Sequence, residues 1–186
     1  MVRTMSWLRA LLPVALLAMP GCASIKMVNT TPTDIAPAGK ALVTFVRQSV
    51  YVCDGSSVDI WDGEHYVGAL EPGEILQYEV APGDHLFLAN SRFNWSYARG
   101  SLVEGKRYYL KTNMFPGVST CHAALAAADR SDPRIAQWQT YAAKAAPEAA
   151  RAAFEANTLP DVEEAIELFK SGGVSRFAEI SDAHAL

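Results

Sequence analysis

From Ala41 to about residue 115 the chain alternates short apolar runs with turn residues. Asp54-Gly55, Asp62-Gly63, Pro72-Gly73, Pro82-Gly83, residues 92–94, Glu104-Gly105 and Pro116-Gly117 punctuate it. Turns at intervals of roughly 8 to 12 residues between β-branched and aromatic runs predict an all-β sandwich or barrel. Residues 41–48 (ALVTFVRQ) are apolar on both faces and predict a central strand. Residues 57–61 and 64–70 flank Asp62-Gly63, a pair suited to a tight hairpin. In residues 75–80 Leu76, Tyr78 and Val80 are expected inward, Gln77 and Glu79 outward. Strands over 85–90, 95–103 and 106–113 complete a seven-stranded antiparallel β-sandwich. Tyr108 and Tyr109 fall on opposite faces, one expected in the core and the other at least partly exposed.

Beyond residue 115 the pattern changes. Residues 121–155 are rich in alanine, the best helix former. Ser131-Asp132-Pro133 predicts a helix start, and Pro147 should end that helix near Lys144 and open the next. Leu159-Pro160-Asp161 predicts a further start, with Val162, Ile166 and Phe169 on one apolar face. Ser171-Gly172-Gly173 stops it. The expected organisation is a leader over 1–21, a tether over 22–40, the sandwich over 41–115 and an alanine-rich helical extension over 116–186. The tether carries Pro32, Pro37 and Gly39 without a regular period, yet Ile25, Met27, Val28 and Ile35 give it apolar groups with which to dock.

The leader has a signal pattern. Arg3 and Arg9 make a basic start, residues 10–19 (ALLPVALLAM) an apolar stretch, and small residues follow. That stretch is shorter than the roughly 20 apolar residues of a membrane span. Cys22, just after it and preceded by Gly21, resembles the lipobox of bacterial lipoproteins. The resemblance implies a diacylated thiol, cleavage before Cys22 and an acylated new amine. Met19 and Pro20 depart from that motif, which prefers Leu and then Ala or Ser there, so ordinary cleavage after Ala23 and an uncleaved anchor stay open. Ala23 beside the cysteine implies, by the same resemblance, the outer membrane facing the periplasm.

Composition narrows the class. Half of the 186 residues are hydrophobic, 19% are charged and the net charge is −4, which excludes a disordered chain and disfavours nucleic acid as a partner. Without Arg3 and Arg9 the 16 basic residues fall to 14 against 20 acidic, a net charge of −6. Charge would then not draw the chain to an anionic membrane, and the lipid anchor has to. Of three cysteines, lipidation of Cys22 leaves the pair Cys53 and Cys121, which an oxidising periplasm permits to bridge.

Four segments carry a resemblance. They are residues 41–47 (ALVTFVR), 58–63 with 66–70 (VDIWDG, YVGAL), 78–85 (YEVAPGDH) and 104–110 (EGKRYYL). Their order and spacing resemble the bacterial lipoproteins grouped as domain of unknown function 2846, and the wider PEGA and carboxypeptidase-regulatory type of small sandwich. That implies a lipid-anchored or secreted envelope protein, with no established activity or catalytic residue.

Few residues point to chemistry. His65, His85, His122 and His184 form no metal-ligand spacing with each other or with cysteine, so no metal or cofactor is expected. Asp59, Asp62 and Glu64 surround one hairpin and read as a solvated acidic turn, with a cation site as the alternative. Cys121 beside His122 is the one enzyme-like pair, and neighbours in a strand face opposite ways. Arg92, Trp95, Tyr97 and Arg99 (RFNWSYAR) offer an aromatic pair with basic flanks, suited to glycans or peptides, or else to covering the core. The expected role is non-catalytic binding or assembly at the envelope. Its partners would be the membrane, through the anchor, and an envelope protein or peptidoglycan. The alternatives are a carbohydrate- or peptide-binding module at 92–99 and an enzyme at Cys121 and His122.

Overall fold

In the computed structural model residues 25–92, 94–118 and 120–186 are described. The leader and Cys22 lie outside them. Among the described residues the fold is mainly β, with eleven strands in two sheets and one long C-terminal helix.

The strands are β1 (Val28–Asn29), β2 (Ala41–Arg47), β3 (Val58–Asp62), β4 (His65–Leu70), β5 (Glu74–Val80) and β6 (Gly83–Ser91). They continue as β7 (Asn94–Leu102), β8 (Arg107–Pro116), β9 (Cys121–Ala127), β10 (Ala142–Ala145) and β11 (Ala178–Ile180). The helices are α1 (Ile135–Trp138) and α2 (Glu148–Lys170). One sheet has the order β1-β10-β5-β2-β8-β9 and the other β11-β7-β6-β3-β4. Seven antiparallel strands were expected, so the count and the pairing both need correction. Pairs β2/β8, β5/β10 and β7/β11 are parallel, which makes both sheets mixed.

The predicted strands fall where the turns placed them. β2 is buried at every residue and lies inside its sheet, as its two apolar faces require. Phe45, Leu76 and Leu110 from one sheet meet Ile60, Phe87 and Leu102 from the other in a shared core. Each such side chain, fully buried, contributes on the order of 1.5–3 kcal/mol. Arg47 ends β2 inside this core, donating from Nη1 to the Leu70 carbonyl at 2.8 Å and from Nη2 to the Cys53 carbonyl at 2.9 Å. Burial lowers its pKa, against the nearby charges of Glu71, Asp54 and Glu74.

The segment expected to be helical differs most. Residues 121–127 form β9, an edge strand beside β8, and residues 142–145 form β10 beside β5. Alanine favours helix only weakly, and the ladder bonds and core positions of Ala123 and Leu125 outweigh it. The helix expected from 131 to 144 reduces to α1. It lays Ile135 and Trp138 on the outer face of the first sheet, over Val46, Ile75 and Tyr109. One of Tyr108 and Tyr109 was expected to be at least partly exposed; both are buried, Tyr109 under α1 and Tyr108 in the inner core.

A single helix, α2, runs through Pro160 where two were expected. A proline inside a helix costs about 3 kcal/mol. Val162, Ala165 and Ile166 lie close behind it and pack on the outer face of the second sheet, among Trp61, Tyr66, Leu88 and Tyr97. That burial is of the size needed to offset the proline. The stop at Ser171-Gly172-Gly173 is as expected: Gly172 takes φ 77° and the Gly173 amide donates to the Leu168 carbonyl at 3.0 Å. Beyond α2, β11 passes so close to β7 that a Cβ on Gly100 would lie 2.4 Å from the Ile180 carbonyl oxygen.

Residues 25–40, read as a tether, are docked. β1 pairs with β10, and Thr33 and Gln77 exchange hydrogen bonds of 2.7 and 2.8 Å. The Met27 sulfur accepts the Ala69 amide at 3.4 Å on edge strand β4. Glu155 of α2 accepts the Tyr66 amide on the same edge at 2.8 Å. Side chains thus cap an edge that would otherwise offer free amides.

Candidate functional site

The Cys53–Cys121 disulfide is formed, with Cα atoms 5.9 Å apart, as the cysteine count suggested. It ties the short turn Tyr51–Cys53 to the start of β9. With its sulfur in that bond, Cys121 is not the thiol nucleophile of the enzyme alternative, and His122 is exposed beside it.

Alternation along β3 sends Val58 and Ile60 into the shared core and Asp59 and Trp61 to the outer face, toward α2. Alternation along β7 sends Trp95 and Tyr97 to the same outer face, as expected of an extended segment. That face is not open, however, because the second half of α2 lies over it. Tyr97 is buried, donates its hydroxyl to the Ala165 carbonyl at 3.1 Å and stacks on Phe169 at 5.2 Å between centroids. Arg99 is exposed, 3.2 Å from Glu179 and 4.7 Å above the Phe177 ring. The four residues expected to act together therefore divide. Tyr97 and Arg99 fasten the helix and the following segment to the sheet, and Arg92 and Trp95 remain for a ligand.

Arg92 and Trp95 line a cleft of about 670 Å³ between α2 and the β6–β7 turn. Arg92 occupies that turn at φ 59°, unusual for a residue with a side chain. Asp59, Trp61 and Asn90 form the floor. Asp161, Glu164 and Glu167 form the helix wall, three residues apart and hence on one stripe. The cleft thus holds four carboxylates against one guanidinium, with indole surface beside them. Glu167 is partly neutralised by Lys170 at 2.9 Å.

Asp59 is the unusual carboxylate. Burial pushes its pKa up to about 6; the charge of Glu71 adds to this and the Tyr66 hydroxyl, donating at 2.9 Å, opposes it. Burial also drives the Tyr66 phenol upward, helped by Asp59. Trp61 is fully buried and its Nε1–H has no partner. A buried donor left unpaired favours a ligand that brings an acceptor.

A second polar cluster looks more like chemistry than it is. His85 Nδ1 lies 2.9 Å from Asp62 Oδ1, and the Tyr78 hydroxyl also bonds Asp62, its pKa pushed up to about 12 by burial and then by that carboxylate. His85 Nε2 is 2.9 Å from the Ala81 carbonyl. Both ring nitrogens are occupied, so none is left to act as a base. This cluster fastens the β3–β4 hairpin to β6. Among the described residues no group of three or more His, Cys, Asp or Glu side chains is arranged to hold a metal ion.

The helix wall of the cleft was not found from sequence. On this helix the pattern singles out the apolar Val162, Ile166 and Phe169, and nothing in the spacing of Asp161, Glu164 and Glu167 says which sheet residues they face. Comparison of the chain with protein-family models, with curated proteins and with solved structures finds no match, so what the cleft does has to come from its own residues.

Proposed function

We propose that this chain is a lipid-anchored protein of the bacterial cell envelope, held at the outer membrane through Cys22, with a non-catalytic binding role in the cleft beneath α2. The signal pattern before Cys22 and the four β segments that resemble envelope lipoproteins support the anchor and a sandwich architecture. The observation that carries the binding role is the cleft, in which Trp95 and Arg92 face a stripe of carboxylates. A flat or apolar body would lie on the indole, and a protonated amine would meet the acids. Amine-bearing peptides and amino sugars of the envelope have that chemistry.

Calorimetric titration with muropeptides and with amino-sugar oligomers tests it. The expected result is saturable binding that Trp95→Ala abolishes and high salt weakens. Heats that do not saturate, or binding that Trp95→Ala leaves intact, would remove the cleft as the site. Intact mass of membrane-extracted protein tests the anchor separately: a chain starting at Cys22 plus acyl groups is expected.

A further inference from the structure

The segment after the anchor leaves no slack. Ile25 packs against the cluster that holds Tyr66, Ala146 and Phe154. Met27 lies against Gly68, where an added Cβ would be 2.6 Å from its Cε. Val28 and Asn29 pair with Ala145 and Lys144, and the Thr30 amide donates to the Ala143 carbonyl at 2.9 Å. The chain is therefore fastened to the folded body from Ile25 onward. Between Cys22 and Ile25 there are only three peptide steps, about 11 Å at full extension. A body of roughly 160 residues has a radius of gyration of about 15 Å. The leash is shorter than the radius of what it holds.

We propose that the folded body lies directly on the phospholipid headgroups, with the side where β1, β4 and the first turns of α2 meet turned to the bilayer. This rests on the lipid-anchor reading above. The net charge of −6 after loss of Arg3 and Arg9 offers no attraction to anionic lipid, so chain length alone imposes the contact. The geometry also orients the molecule. β1 and β9 are opposite edges of a six-stranded sheet, five strand spacings or about 24 Å apart. The disulfide end, with exposed Val118 just before β9, is then carried away from the lipid.

The test uses the full acylated chain in phosphatidylethanolamine and phosphatidylglycerol vesicles whose headgroups carry a spin label, a short-range quencher. A dye is attached at Ala152→Cys, exposed beside Tyr66, or at Val118→Cys. Quenching severalfold greater at 152 than at 118 is expected. Inserting a flexible Gly/Ser linker between Ser24 and Ile25 should abolish the difference. Equal quenching at both sites, or a difference that survives the linker, in protein whose mass shows the acyl groups would overturn the contact while leaving the anchor standing. A mass without acyl groups would overturn both.

Discussion

Replacing Asp59 with asparagine removes a charge that the fold holds at a cost. The carboxyl rises from 3.8 to about 6 on folding, chiefly through burial. That rise corresponds to roughly 3 kcal/mol of preference for the protonated form. Because the folded value lies above the unfolded one, the native state binds the proton more tightly. The stability from this group is fully present below about pH 4, falls as pH rises toward about 6, and is absent above that. Asparagine keeps an oxygen for the Tyr66 hydroxyl and carries no charge at any of these values. The expected outcome is that Asp59→Asn gains up to about 3 kcal/mol over the parent between pH 4 and pH 7. Urea unfolding of both proteins at several pH values, with the disulfide oxidised, measures it. Subtracting the two curves cancels the other titrating groups. A difference that does not change with pH, or an asparagine variant that is less stable at neutral pH only, would refute the argument that the buried charge is what the fold resists.

Three further outcomes follow from the packing. Tyr97→Ala should cost about 3–5 kcal/mol in denaturant unfolding, as a buried aromatic does, whereas half-buried Trp95→Ala should cost markedly less and act on ligand binding instead. Replacing both Cys53 and Cys121 with serine opens a loop of 68 residues and should lower stability by about 4 kcal/mol, read from urea unfolding extrapolated to water with the slope fitted for each protein. Arg47→Ala leaves the Leu70 and Cys53 carbonyls without their charged donor and should lose about 3 kcal/mol or more, while Arg47→Lys recovers only part, since one ammonium cannot span both acceptors as a fork does.

The turns made strands β2 to β8 legible, because proline-glycine and aspartate-glycine pairs act locally and need no tertiary partner. The pairing of Cys53 with Cys121 was legible by counting. β9, β10 and β11 were not. Their sequences, CHAALAA, AAKA and AEI, have little β preference, and each is a strand only because a formed neighbour offers it a ladder. Pro160 misled for a related reason, since its local cost is visible in the sequence and the sheet surface that offsets it is not. At the cleft, alternation correctly put Trp95 and Tyr97 on one face. What covers that face is decided by a helix whose Ala165 lies 68 residues after Tyr97, and no local pattern records the meeting.

The wrapping of both sheets by residues after 121 sets an order on events. A polypeptide is made from its amino end, so β2 to β8 exist before α1 and α2, which cover them. In that interval Trp61, Tyr66 and Leu88 on one side lack the cover of α2, and Val46, Ile75 and Tyr109 on the other lack that of Ile135 and Trp138. The parallel pairs β2/β8, β5/β10 and β7/β11 each join strands far apart in sequence, and such long loops close slowly. The nascent chain therefore passes through a stage with two sticky flanks. A chaperone that shields apolar surface has a defined moment to act, ending when α2 settles over Trp61.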